Sequence, residues 1–293
     1  MPDQAGAAQG GIDRTPAAAN TAAMTEASLS PAERDRLARV FAAIASEAGV
    51  AVMEVYAGDF ETRQKADRSP VSDADERAEA IILAHLARDL PGVPVLAEET
   101  AAREGVGGAR GDMFLLVDPV DGTKEFIQRK GDFTVNIALI ERGLPLAGCV
   151  YAPARRDMYA GGASAWRAQG FAPGSAIGEV APMRTREAPA AGLTAVTSSS
   201  HLDPETKAFL ARLPIAGQTA VGSSLKFCLV AAGDADVYPR WGPTMEWDTA
   251  AGQAVLEAAG GVVLRPDGER FVYGKAGAGF LNGPFVAWGR APG

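Results

Sequence analysis

The stretch Val117-Asp118-Pro119-Val120-Asp121-Gly122-Thr123-Lys124 follows the apolar run Met113-Phe114-Leu115-Leu116. An apolar run stopped by proline and glycine predicts a buried strand over 113–117 that delivers two carboxylates at its end. A buried carboxylate is costly unless it is paired, hydrogen-bonded or bound to metal. Lys124, Arg129 and Lys130 are the nearby cations in sequence; pairing with them is one answer, and a metal or phosphate site is the sharper one. Residues i and i+3 of a regular strand face opposite ways. Pro119 lacks an N–H for a sheet ladder, so the chain is expected to turn there and converge Asp118, Asp121 and the Val120 carbonyl on one point. Gly122 permits close backbone approach, Thr123 adds a hydroxyl, and a short helix from Thr123 to about Gln128 would turn its free amides toward a phosphate. Hard oxygen donors beside such a helix start suggest Mg²⁺ and a phosphoryl group.

A competing reading is the D-x-D-G-T nucleophile loop of haloacid-dehalogenase-type phosphatases. Here two residues separate the acids, so the face geometry differs and no phosphoaspartate is implied. Acids also open or close three other predicted elements: Asp73/Asp75, Glu98/Glu99 and Asp248. Each has a plain alternative. Asp248 before Thr249-Ala250-Ala251 is a good N-cap, Asp75 suits a helix N-terminus, and Glu98-Glu99 suits a solvated loop.

Around this centre the pattern alternates. Ser30-Pro31-Ala32-Glu33 is a capping box that opens a helix to about Tyr56, with Leu37, Val40, Phe41, Ile44 and Ala48 on one face. Residues 65–72 read as a loop, followed by a helix capped by Ser72 and stopped at Leu90-Pro91-Gly92. Strands are expected at 93–97, 133–140 and 144–151, with another pair around Met158 and Trp166 and a loop at 101–112. Beyond the soft segment 171–192 come a strand at 193–197 and helices from Asp203-Pro204, over 225–232, and from Asp248 to Gly260-Gly261. The class is mixed α/β. The expected division is a tail over 1–27, disordered by composition, an N-terminal α+β lobe with the acids over 28–192, and a C-terminal α/β lobe over 193–293.

A net charge of −8 argues against bulk nucleic acid as partner, although a local cluster or a metal still admits a small phosphorylated ligand. Cys149 and Cys228 fit a reduced, cytoplasmic chain while allowing one disulfide, and no zinc spacing exists. No apolar run reaches the roughly 18 residues expected of a transmembrane segment.

Taken together, Glu98-Glu99, Asp118-Pro119-Val120-Asp121-Gly122-Thr123 and Trp247-Asp248 resemble the inositol monophosphatase superfamily of metal-dependent, lithium-sensitive phosphatases, over about residues 31–290. The resemblance implies a layered α-β-α-β-α sandwich. Lys65-Ala66-Asp67, Ser69-Pro70-Val71, Lys124-Glu125-Phe126-Ile127, Gly222-Ser223-Ser224-Leu225-Lys226-Phe227-Cys228 and Tyr238-Pro239-Arg240 resemble its bacterial 3′(2′),5′-bisphosphate nucleotidase branch. That branch implies hydrolysis of adenosine 3′,5′-bisphosphate to AMP and phosphate in sulfur assimilation. An inositol or sugar monophosphatase and a non-catalytic nucleotide or metal sensor stay open as alternatives.

By the same resemblance, Glu98, Asp118, Asp121, Asp248 and the Val120 carbonyl would bind two or three Mg²⁺ ions, and Asp75 with Thr123 would activate a water. Substrate contacts would come from Glu98, Val120, Asp121, Gly122, Thr123, Ser199, His201, Gly222, Ser223, Ser224, Lys226, Arg240 and Asp248. Ser199 departs from the branch's usual [ST]-R-S-H pattern, and His201 equally suits a backbone partner at a strand end. Arg240 beside Trp241 suits either a phosphate or an indole stack. The expected partner is a small phosphonucleotide, bound by a monomer or homodimer in the cytoplasm, with peripheral contact to the inner membrane left open.

Overall fold

Ser30 opens the first helix, α1 (Pro31–Ala57), as the capping box predicts: its hydroxyl accepts the Glu33 N–H at 3.3 Å, and the Glu33 carboxylate accepts the Ser30 N–H at 2.8 Å. The computed structural model describes residues 28–58, 62–64, 70–108, 111–198 and 202–291; the N-terminal tail lies outside them. Contrary to expectation, α1 is long and apolar enough to cross a membrane, with mean hydropathy 1.5 over its most apolar window. Its apolar face is occupied otherwise: Leu37, Phe41, Ile44, Ala48 and Val52 are buried in a core shared with the next helix and the large sheet.

A short antiparallel pair follows, β1 (Thr62–Gln64) with β2 (Pro70–Ser72). The last three residues of the loop expected over 65–72 are therefore strand, and 65–69 lie outside the described residues. Helix α2 (Asp73–Asp89) runs on directly. The seven-stranded sheet then takes its strands in chain order: β3 (Val95–Ala97), β4 (Met113–Asp121), β5 (Thr134–Glu141), β6 (Leu144–Ala152), β7 (Asp157–Gly161), β8 (Ala165–Gln169) and β9 (Ala181–Met183). Within this sheet, among the described residues, β3 and β4 alone pair in parallel. Between them lies α3 (Glu98–Glu104), so the loop expected from 101 begins only after a helical turn. Helix α4 (Thr123–Ile127) follows β4.

The second sheet has the order β11-β10-β12-β16-β14. Its strands are β10 (Leu193–Ser198), β11 (Ile215–Val221), β12 (Val237–Arg240), β14 (Val262–Leu264) and β16 (Phe285–Trp288). Helices α5 (Pro204–Leu210), α6 (Leu225–Ala231) and α7 (Ala250–Ala258) connect them, and β13 (Thr244–Met245) pairs with β15 (Leu281–Asn282).

Side-chain alternation stacks these elements into layers. Leu115, Val117, Ile137, Leu139, Cys149 and Tyr151 face α1 and α2, whereas Leu116, Ala138, Ile140, Val150 and Ala152 face α6 and α7. In the second sheet Val196, Tyr238, Phe285 and Ala287 face that same helical layer. Ala195, Val237, Val286 and Trp288 face α5 instead, packing with Phe209 and Leu210. The order is helix, sheet, helix, sheet, helix, the sandwich expected above. Cys149 and Cys228 are buried free thiols on this framework.

Candidate active site

The acid-bearing segment does not leave the sheet at Pro119. Strand β4 continues to Asp121 through a bulge: Asp118 pairs with Asn136 and Asp121 with Thr134, so three steps on β4 match two on β5. Pro119 falls inside the bulge, where no ladder N–H is required of it. Cross-strand partners share a face, and Asn136 and Thr134 are two residues apart. The inserted residue therefore turns Asp118 and Asp121 to the same side, which the regular strand geometry forbids. The Asp118 carboxylate accepts the Val120 N–H at 3.0 Å, closing the bulge, and the Thr123 hydroxyl donates to the Val120 carbonyl at 3.3 Å.

Gly122 then takes φ +92°, and a Cβ there would stand 3.0 Å from the Asp132 carbonyl oxygen. Only glycine suits the position. Glu98 arrives beside this loop because Ala97 pairs in parallel with Val117, placing the next residue of each strand side by side. Asp75 comes from the first turn of α2, buried on the same helical face as Glu79. Asp73, two residues earlier, is exposed.

One cleft of about 250 Å³ gathers residues far apart in the chain. Glu98, Asp121, Gly122, Thr123 and Asp248 line it together with Gly222, Ser223, Lys226 and Arg240. Asp118 is buried and does not line the cleft. Among the described residues, no three His, Cys, Asp or Glu side chains already meet at a single ion position. Glu98, Asp121 and Asp248 share the cleft lining without converging on one point.

Asp248 is not the N-cap of α7, a position held by Thr249. Its carboxylate accepts the Met245 N–H at 2.7 Å, in the turn that follows β13. Ser224 does not line the cleft. It is buried, its hydroxyl donating to the Asp248 carbonyl at 2.7 Å while accepting from the Asn136 amide at 3.0 Å. Arg240 is not stacked on Trp241, which packs on Phe209 at 5.0 Å; the guanidinium donates to the carbonyls of Gly242 and Pro243 at the cleft edge. Ser198 lines the cleft, whereas Ser199 and His201 lie outside the described residues.

Burial pushes the Asp248 carboxyl well above its ordinary range, and the charges of Asp121 and Glu98 add to the shift. Burial also raises Asp121, while Lys226, Ser224 and Asn136 pull it back down. Desolvation brings Lys226 down to about 8 against the opposing pull of Asp121. Two desolvated carboxylates, Asp121 and Asp248, with the Glu98 carboxylate lining the same cleft, are hard oxygen donors that fit a divalent cation of the Mg²⁺ type.

Three contributors escape sequence reading. Glu79 accepts the N–H groups of Glu99 and Thr100 from a neighbouring helix; the available signal was a charged residue inside the stripe Ala78, Ile82, Leu86. Asn136 is a buried amide beside the apolar run Ile137-Ala138-Leu139-Ile140. Asp132 accepts the Gly222 N–H at 3.3 Å and is held by Arg155 at 2.8 Å, a junction with no local signature.

Residues 33–284 match the inositol monophosphatase family, and the chain belongs to it. Within that family it is 44% identical over 245 residues to the 3′(2′),5′-bisphosphate nucleotidase CysQ of Shigella flexneri, covering 83% of this chain and 95% of the relative. The same identity, length and coverages relate it to the CysQ nucleotidase of Escherichia coli K12. The crystal structure of CysQ from Bacteroides thetaiotaomicron superposes with TM-score 0.72 at 37% identity, over 87% of this chain and 98% of that one. An inositol monophosphatase from Anabaena (Nostoc) sp. PCC 7120, at TM-score 0.67 and 23% identity over 87% of this chain and 91% of its own, shares the fold.

Proposed function

We propose that the chain is a Mg²⁺-dependent 3′(2′),5′-bisphosphate nucleotidase that hydrolyses adenosine 3′,5′-bisphosphate to AMP and phosphate, serving sulfur assimilation in the cytoplasm. The carrying observation is that one cleft is lined both by the carboxylates Glu98, Asp121 and Asp248 and by the cations Lys226 and Arg240. A substrate with two phosphates needs both: a cation-loaded end for the phosphate that leaves and a basic end for the one that stays.

In this reading Glu98, Asp118, Asp121, Asp248 and the Val120 carbonyl hold two or three ions. Mg²⁺ supplies charge that polarises phosphate oxygens and acidifies a water. Asp75 takes the proton of the attacking water, with the Thr123 hydroxyl orienting it. Gly222 and Ser223 offer backbone and hydroxyl groups to the retained phosphate, and Lys226 and Arg240 offset its charge. Glu98, Val120, Asp121, Gly122, Thr123 and Asp248 surround the phosphate that is removed. The Ser224 side chain, buried outside the cleft lining, supports this set without touching the nucleotide.

The test is phosphate release from adenosine 3′,5′-bisphosphate and from inositol 1-phosphate, with Asp75→Asn beside wild type. Faster release from the nucleotide, lost in the variant, is expected. Equal or reversed preference rejects the nucleotidase reading and favours an inositol or sugar monophosphatase. Wild type that binds nucleotide yet releases no more phosphate than the variant is a sensor.

A further inference from the structure

Asn136 lies where the two acid-bearing segments meet, and its hydrogen bonds can run in only one direction. The Ser224 hydroxyl has one proton and lies in hydrogen-bond reach of the Asp248 carbonyl oxygen at 2.7 Å and of the Asp121 carboxylate, two groups that can only accept. Ser224 must therefore receive the Asn136 amide N–H at 3.0 Å. That fixes the amide, whose nitrogen also reaches the Asp121 carboxylate at a long 3.4 Å. Flipping the amide would set its oxygen against the carboxylate and against a hydroxyl oxygen with no proton to give. In the orientation present, Asn136 Oδ1 is instead buried without a hydrogen-bond partner. One unsatisfied acceptor costs less than two repulsive contacts.

The chain Asp121–Asn136–Ser224–Asp248 spans from the bulged strand of the large sheet, through the residue before α6, to the turn before α7. The two middle members are shielded from water, Asn136 and Ser224 each being about 1% exposed, whereas Asp121 and Asp248 line the cleft. Such partners behind a metal-binding carboxylate orient it and tune its affinity.

We infer that Asn136 and Ser224 act as one positioning relay that sets the spacing of Asp121 and Asp248 and thereby the affinity of the cleft for divalent cations, an inference that rests on the metal-dependent reading above. Their role is toward the ion and not toward the nucleotide.

The experiment titrates the full chain with Mg²⁺ by calorimetry for wild type, Asn136→Ala, Ser224→Ala and the double variant, with circular dichroism to confirm folding. Each single variant should weaken Mg²⁺ binding about 10- to 100-fold. Because the two residues act as one unit, the double variant should be no worse than the weaker single. The KM for nucleotide at saturating Mg²⁺ should stay within about twofold, as expected when uniform substrate binding is untouched. Unchanged Mg²⁺ affinity in either folded single variant overturns the relay, as do additive losses in the double variant. Wild type that binds no Mg²⁺ defeats the proposed function itself; wild type that binds while the variants bind equally well defeats only the relay.

Discussion

The carboxylate of Glu79 accepts the backbone N–H of Glu99 at 2.7 Å, and its other oxygen takes the N–H and hydroxyl of Thr100 at 2.8 and 2.7 Å. A side chain of α2 thus caps the start of α3, whose own N-cap residue, Ala97, has no side chain able to do so. Because Glu98 is the first residue of α3, this contact also aims Glu98 at the cleft.

Glu79→Ala leaves buried amides without acceptors, so the variant should lose about 2–4 kcal/mol of unfolding free energy. It should also need more Mg²⁺ for half-maximal activity, because Glu98 is no longer aimed. Urea denaturation and a Mg²⁺ activation curve measure the two effects. A stability loss with an unchanged activation curve would confine Glu79 to a structural role.

Gly222, directly after β11, is packed against residues from elsewhere in the chain. A Cβ there would come within 2.6 Å of the Asp132 carbonyl oxygen and 2.9 Å of Glu125 Cγ. Backbone cannot yield as a flexible side chain does, so Gly222→Ala should cost about 1–3 kcal/mol and displace the Ser223 loop. The expected kinetic result is a raised KM for the bisphosphate larger than any fall in kcat. A variant with wild-type KM would show that the loop does not contact substrate.

Asp236 gives a stability effect with a defined sign. Burial raises its pKa, but hydrogen bonds from Arg186 at 2.7 and 2.8 Å and from the Thr194 N–H at 2.7 Å outweigh this and hold it below the ordinary value. A lowered folded-state pKa gives stability that is complete above the unfolded pKa and is lost as pH falls through the folded one. Asp236→Asn should therefore cost about 1–3 kcal/mol at neutral pH, from lost charge-assisted bonds. The gap between wild type and variant should stay constant down to about pH 5 and narrow below about pH 4. Thermal unfolding of both proteins at neutral pH and at pH 5 and 3.5 tests it; a gap that widens in acid contradicts the sign.

Metal removal should abolish phosphate release without unfolding the chain, since most of the two large hydrophobic cores, apart from Phe227 and Tyr238, lies away from the cleft lining. EDTA treatment followed by activity and circular dichroism checks both parts, and restored Mg²⁺ should restore turnover. Li⁺ at concentrations comparable with Mg²⁺ should inhibit; undiminished activity would count against a lithium-sensitive cation site.

Local signals were readable along the chain. The capping box at Ser30, the Asp203 N-cap of α5 and the hairpin of β5 and β6 depend on neighbours within a few residues, and sequence displays those directly. The acids of the cleft were legible for a related reason: an oxygen donor at the end of an apolar strand has few inexpensive uses. Less legible were β12, β14 and β16, short strands whose register depends on partners elsewhere in the chain.

Residue types and local spacing thus determined which side chains carry the chemistry. Tertiary structure decided where each one points. The β4 bulge turned Asp118 and Asp121 to one face, Glu79 aimed Glu98 from another helix, and Ser224 was withdrawn from the cleft to bind the Asp248 carbonyl. A hydrogen bond between residues 24 apart in sequence, as between Ser224 and Asp248, leaves no periodic trace along the chain; it exists only once the layers have packed.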